Sequence, residues 1–419
     1  ARKKTPQHSP EKSNVSLKNR RIAIIGAGPT GLEAALAAAE AALPFTLYEA
    51  GPTTAAFLRM WGHVRLFSPW DLDVSPRARK ALLAAGHDVP SGDDCPTAEE
   101  LADAIFEPLA KLPALEENIY FRTPVLAVSR EGLLKNEEIG TPRRARHPFR
   151  LLLTDSRGRE WTEQAEIVLD CTGNYGTPNA LGDGGIPAPG EESLEDVIVR
   201  WVPNFAIQES AWAGKEILLV GAGHSAQTAA VELDALAERH PGTRVLWAIR
   251  RAEPIWAVRE DDPLPERARL IRQAQALASG GSDTIEMVPG VVVDSLARKG
   301  NRIGVTFRDS GGGQHSVEVD RVLSLTGFVG DHQLYRQLQI HECYATSGPM
   351  KLAASLLASG SDADCLTQTG QGIETLTNPE PDFFILGSKS YGRNSSFLMR
   401  LGWQQVDEVF EWITTGRVT

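Results

Sequence analysis

The sequence predicts an α/β protein made of two parallel-sheet units, one of them split along the chain by the other. Three observations carry this. A glycine-rich strand-turn-helix pattern occurs twice, as "RIAIIGAGPTGLEAALAA" from Arg21 and as "EILLVGAGHSAQTAAVEL" from Glu216. Each copy is followed by a second apolar strand, the βαβ order that builds a parallel sheet. Two later strands, "EIVLDCTG" and "RVLSLTGF", echo one another and end in Thr-Gly, as expected of chain returning to an earlier sheet.

The elements follow in order. Residues 1–20, "ARKKTPQHSPEKSNVSLKNR", are basic and polar without an apolar core of signal-peptide length, and are read as a flexible arm. A strand at Arg21–Ile25, an alanine-rich helix at Gly31–Ala42 and a strand at Phe45–Glu49 open the first unit, residues 21–185. Within it, residues 55–115 lose the βαβ rhythm. They read as a helical insertion covering a ligand, with a capping box at Thr97 and Glu100. A glycine- and proline-rich linker, "GTPNALGDGGIPAPGE", precedes the second unit at 186–320, and residues 321–419 return to the first. That last part ends in a strand, a glycine turn and a long helix from about Ser395.

Composition limits the chemistry. A chain of 419 residues exceeds one ordinary core and can bury a large ligand. Its net charge of -11 disfavours a nucleic-acid partner, and no apolar run reaches the length of a membrane span. Cys95, Cys171, Cys343 and Cys365 show no C-x-x-C spacing, which argues against a disulfide framework, a zinc site or a dithiol pair and fits a reducing cytoplasm. No metal-ligand cluster, paired carboxylates or nucleophile elbow stands out.

The glycine turns are the chemical signal. In the first, Gly26 permits a tight turn, Gly28 lets a pyrophosphate approach the backbone, and Gly31 allows close helix packing; Pro29 and Thr30 complete it. Glu49 ends the next strand, where a carboxylate accepts from a ribose. The second turn, Gly221, Gly223, His224, Ser225 and Ala226, is the G-x-G-x-x-A variant. Its following strand ends at Arg250 and Arg251, whose guanidinium groups suit a ribose 2'-phosphate. Two Rossmann-like sites for two different dinucleotides are therefore expected, the second for NADPH.

These residues resemble the two-dinucleotide-binding-domain flavoproteins. Within them they resemble the NADPH-dependent flavin monooxygenases, the ornithine and lysine N-hydroxylases, and uncharacterised bacterial FAD/NAD(P)-dependent oxidoreductases. The resemblance spans Arg21 to the end and implies FAD at the first turn and NADPH at the second. It places Trp61, His63, Val125, Thr172, Gly173, Gly387 and Ser388 with the FAD, and Thr326 and Gly327 with the NADPH. It also implies oxygenation of a small molecule through a C4a-(hydro)peroxyflavin, with molecular oxygen as co-substrate and a homodimer as a common assembly. The segment "WVPNFAIQESAWAGK" departs from the F-x-G-x-x-x-H fingerprint of the flavin monooxygenases and leaves the substrate open. Two alternatives stay open: a flavoprotein reductase without oxygen insertion, and a non-catalytic redox sensor.

Catalytic candidates lie in "RMWGHVRLFSPWDLDV" and after the C-terminal strand. They are His63, Arg65 and Trp70, with Ser68 beside them, and Tyr391, with Lys389 and Arg393 in the same loop. Cys171 reads as a buried apolar cysteine.

Overall fold

A computed structural model describes residues 20–256, 262–358 and 370–415. The arm read over residues 1–20 lies outside the described residues apart from Arg20, as does Cys365.

Each glycine turn leaves the middle strand of a five-stranded parallel sheet. In the first sheet the order is Phe383–Ile385, Ile167–Asp170, Ile22–Ile25, Phe45–Tyr48, Ile119–Tyr120. In the second it is Ile285–Pro289, Arg244–Ile249, Glu216–Val220, Arg321–Ser324, Ile198–Val199. Strand Ile22–Ile25 is buried at every position, because helices cover one face and a separate antiparallel sheet the other. Ala34, Ala35 and Ala38 on helix Pro29–Glu40 are fully buried, and their small side chains let the helix lie close to the sheet.

Each unit adds a three-stranded antiparallel sheet: Val125–Arg130, Phe149–Thr154 and Glu160–Ala165 in the first, and Val291–Lys299, Arg302–Asp309 and Gln314–Val319 in the second. The insertion is a series of short helices joined by loops between Ala56 and Glu116, with the Thr97–Glu100 capping box formed in both directions.

Two expectations need correction. Strand Arg321–Ser324 does not return to the first sheet. It pairs with Glu216–Val220, so Val322 and Leu323 complete the second unit's core, and the chain crosses back only through Phe328–Val329. The final helix starts at Met399, not Ser395: the Asn394 side chain accepts from the Ser396 backbone N–H and hydroxyl, a local turn that competes with helix.

The crossing strands Thr177–Pro178 and Phe328–Val329 pair antiparallel, so both connections between the units run through one ribbon. Asn179 fastens it: its N–H donates to the Gly327 carbonyl at 2.9 Å, its side-chain amide to the Thr326 carbonyl at 3.1 Å, and its carbonyl accepts from the Thr326 hydroxyl at 2.9 Å.

The two turns explain their glycines differently. A Cβ on Gly31 would stand 1.8 Å from the Gly26 carbonyl oxygen, whereas one on Gly28 meets nothing within 4 Å. Gly31→Ala is expected to lower stability by about 1–3 kcal/mol through overpacking, while Gly28→Ala leaves the thermal midpoint of the ligand-free protein nearly unchanged. Calorimetry of the two variants checks this; equal losses would contradict it.

Candidate functional site

Both turns face one cavity of about 1120 Å³ between the units. Helix Pro29–Glu40 begins at Gly28 and helix His224–Arg239 at Gly223, and neither N-cap residue has a side-chain cap. Their first backbone N–H groups therefore stay available at the cavity, where the helix dipole favours an anion. Like Gly28, Gly223 has open space where a Cβ would be. Protein packing gives no reason for glycine at either position, while close approach of a ligand to the backbone does.

Packing does account for the other turn residues. Gly26 has φ +101°, and its Cβ would lie 2.7 Å from the Cys171 carbonyl oxygen; Gly221 has φ +136° and would meet the Leu325 carbonyl oxygen at 2.3 Å. Gly31 and Ala226 sit behind their turns as buried packing residues and do not border the cavity.

The structure brings most of the sequence candidates to this one wall: Gly26, Gly28, Pro29, Thr30, Glu49, Trp61 and Val125, then Thr172, Gly173, Gly387 and Ser388 on the first unit's side. From the second unit come Gly221, Gly223, His224, Ser225, Arg250, Arg251, Thr326 and Gly327. Glu49 Oε2 accepts from Ala27 N–H and Oε1 from Gly51 N–H, both at 2.6 Å, which fixes the carboxylate and leaves each oxygen a further lone pair. Arg250 and Arg251 are exposed at the end of their strand. His224, exposed at the start of its helix, meets Phe67 of the insertion edge-on at 5.1 Å.

Of His63, Arg65, Trp70 and Tyr391, Arg65 alone borders the cavity, together with the neighbouring candidates Ser68 and Arg393. Its guanidinium donates to the Cys95 carbonyl. His63 turns toward the Pro203 backbone, and burial lowers its pKa. Trp70 lines a separate, smaller cavity with Asp94 and Glu266. Tyr391 is packed in the core against Phe397, and burial pushes its hydroxyl up to about 12. Trp70 and Tyr391 share a physical reason: their rings pack against the first unit's core.

Lys389, from the loop after the C-terminal strand, is buried, with Nζ donating to Asp170 Oδ2 at 2.6 Å and to the Thr172 hydroxyl at 3.1 Å. Thr172 in turn donates to Asp170 Oδ1 at 2.7 Å. The C-terminal turn is held as closely: a Cβ on Gly387 or on Gly402 would stand 2.7 Å from the Thr30 hydroxyl, and the buried Gln405 side chain accepts from Gly387 N–H.

One group on the wall escaped the sequence reading. Asp73 is 2% exposed, accepts from the Ser68 hydroxyl at 2.6 Å and has no partner for Oδ2 among the described residues. Burial pushes its carboxyl up to about 7. The signal was the short insertion helix "WDLD", whose Asp was indistinguishable from a solvated one without its neighbours.

No protein-family model and no curated protein sequence matches the chain. Solved structures do. A bacillithiol disulfide reductase from Bacillus cereus is 18% identical with a TM-score of 0.68, covering 95% of this chain and 99% of its own. An ornithine N-hydroxylase from Kutzneria sp. 744, with reduced FAD, NADP+ and L-ornithine, is 15% identical with a TM-score of 0.62 over 95% and 99%. A thioredoxin reductase from T. acidophilum is 14% identical with a TM-score of 0.55 over 94% and 98%. The chain shares the fold of these three proteins over nearly its whole length. No described helix is long and apolar enough to cross a membrane, and no group of described side chains is arranged to hold a metal ion.

Asp73 makes stability depend on pH with a defined sign. Unfolded, its carboxyl ionises near 3.8; folded, near about 7. Between those values the unfolded chain has released a proton that the folded one keeps, so stability falls as pH rises. The loss is on the order of 4 kcal/mol once complete. Asp73→Asn cannot ionise, so its thermal midpoint should exceed that of the unsubstituted protein clearly at about pH 8 and much less at about pH 4. A difference that does not change with pH would contradict this.

Proposed function

We propose that this chain is an FAD-dependent oxidoreductase that takes electrons from NADPH and oxygenates a small molecule bound between its two dinucleotide sites. The observation that carries the reading is the pair of glycine-capped helices, each with ligand-sized space before its second glycine, on the wall of one cavity.

The residues fit the two groups. Backbone N–H groups from Gly28 onward would hold the FAD pyrophosphate, and the free lone pairs of Glu49 its ribose hydroxyls. Thr172, Gly173, Gly387 and Ser388 would border the isoalloxazine, their positions held by Lys389 through Asp170. The turn from Gly223 would hold the NADPH pyrophosphate, with Arg250 and Arg251 on the 2'-phosphate. Bound FAD would supply the two-electron chemistry. The chain's own part is to position both groups and to shield them from water. Insertion residues Phe57, Leu58 and Trp61 wall the cavity for that purpose.

Oxygenation is favoured over disulfide reduction by the state of the thiols. Cys171 borders the cavity, but burial raises its pKa well above the ordinary value, so it is not an attacking thiolate. Cys95 and Cys343 lie off this wall, and Cys365 is outside the described residues. The second reading, electron transfer to an acceptor other than oxygen, is favoured by the disulfide reductases among proteins of this fold.

The test compares NADPH consumed with peroxide released under air, with and without candidate substrates. NADPH consumption that leaves an oxygenated product supports oxygenation; consumption that needs a disulfide or quinone and proceeds without oxygen overturns it. Replacing Arg250 and Arg251 together by Ala should raise KM for NADPH roughly ten- to a hundredfold, as expected for lost hydrogen bonds to a charged group, and leave KM for NADH nearly constant. An unchanged ratio of the two would remove the NADPH assignment.

A further inference from the structure

One part of the cavity wall is built unlike the rest. Five aromatic rings from four segments meet where the units join: Phe57 and Trp61 from the insertion, Tyr175 from the first crossing, Trp201 from the second unit and Phe328 from the return crossing. Trp201 stands 4.7 Å from Phe328, 5.9 Å from Tyr175 and, nearly parallel at 17°, 6.1 Å from Phe57. Tyr175 also meets Phe328 at 5.3 Å and Trp61 at 5.8 Å. The cluster is not closed off. Phe57 is 39% exposed and Tyr175 37%. Apolar rings left open on a concave wall are a ligand surface, because an apolar occupant recovers the cost of hydrating them. The Tyr175 hydroxyl donates to no described residue.

Charge narrows the occupant. Among the described residues, the carboxylates on this wall are Glu49 and Asp73. Glu49 sits at the first glycine turn with its remaining lone pairs assigned to the FAD ribose, and Asp73 is held by Ser68 and disfavoured as an anion by its burial. An ammonium group would find no ready counter-ion here. Among the arginines on the wall, Arg200 is paired with Glu191 and Arg267 with Asp262, Arg65 donates to the Cys95 carbonyl, and Arg250 and Arg251 are taken by the NADPH phosphate in the reading above. Arg393 differs. Its guanidinium donates to the Ser347 hydroxyl at 3.3 Å and to the Asn179 side-chain oxygen at 3.4 Å, and it has no carboxylate partner among the described residues. Asn179 directly follows Pro178, the strand partner of Phe328, so Arg393 borders the ring cluster.

We propose that this junction is the substrate subsite and that it takes a planar aromatic molecule bearing an anionic group, stacked on Trp201 and Phe328 with its anion on Arg393. The inference rests on the oxidoreductase reading for what happens to the occupant, but not for its binding.

The experiment titrates the purified full-length protein by calorimetry, with saturating NADP+ present, using 2-naphthoate, its neutral analogue 2-naphthamide, and cadaverine. The naphthoate should bind about tenfold more tightly than the amide, as expected for one charge-assisted contact, and cadaverine should not compete. Arg393→Met should bring naphthoate down to the level of the amide and leave the amide unchanged. Trp201→Leu should weaken both aromatic probes by about tenfold, with Phe57→Leu, at the open rim, as a second variant less coupled to folding. Absence of naphthoate binding, displacement of naphthoate by NADP+, tighter binding of cadaverine, or an unchanged naphthoate-to-amide ratio in Arg393→Met would each overturn the proposal. The two readings fail separately. Naphthoate binding without reduction of bound flavin by NADPH removes the oxidoreductase reading and keeps the subsite; flavin reduction without naphthoate binding does the reverse.

Discussion

Everything at this site depends on backbone approaching backbone where no side chain fits. Gly26 presses on the Cys171 carbonyl and Gly221 on the Leu325 carbonyl, each in a conformation that side chains rarely adopt. Those contacts set where the two following helices begin. The helix starts at Gly28 and Gly223 are left without side-chain caps, so their N–H groups keep unspent hydrogen-bonding capacity. A folded protein leaves such groups open where a ligand completes them. Both helix ends face one cavity, which couples the two sites in space.

The C-terminal segment completes the first site through contacts of a different kind. Lys389 and Asp170 form an ion pair buried on both sides, and Thr172 closes the network between them. Removing one partner of such a pair costs about 3–5 kcal/mol, because the other charge is left buried and unpaired. The pair thereby locks the turn after strand Ile167–Asp170 to the turn after Phe383–Ile385, two segments more than two hundred residues apart in sequence. Close packing of Gly387 and Gly402 on Thr30 ties the same segment to the first helix. The ribbon of Thr177–Pro178 and Phe328–Val329, fastened by Asn179, then fixes how the second unit leaves and rejoins.

Much of this was legible in the sequence, for reasons that are local. The two βαβ openings follow from hydrophobic period and glycine spacing, and the capping box at Thr97 from four adjacent residues. What was not legible depends on distant partners. Strand Arg321–Ser324 has the same pattern as Ile167–Asp170, and only its pairing with Glu216–Val220 assigns it to the second sheet. Lys389 and Tyr391 look alike as loop residues, yet one is neutralised by Asp170 and the other buried beside Phe397. Asp73 was missed because burial, not residue type, makes it unusual. The aromatic cluster draws on segments from Phe57 to Phe328, so no window of sequence contains it.

The central claim is that the two turns serve one electron-transfer cavity. The most direct measurement is anaerobic rapid mixing of the purified, FAD-loaded protein with NADPH while the flavin absorbance is followed. The account predicts stoichiometric loss of the oxidised-flavin band, faster with NADPH than with NADH. Failure to bind FAD, or FAD that keeps its oxidised spectrum in excess NADPH, would contradict it.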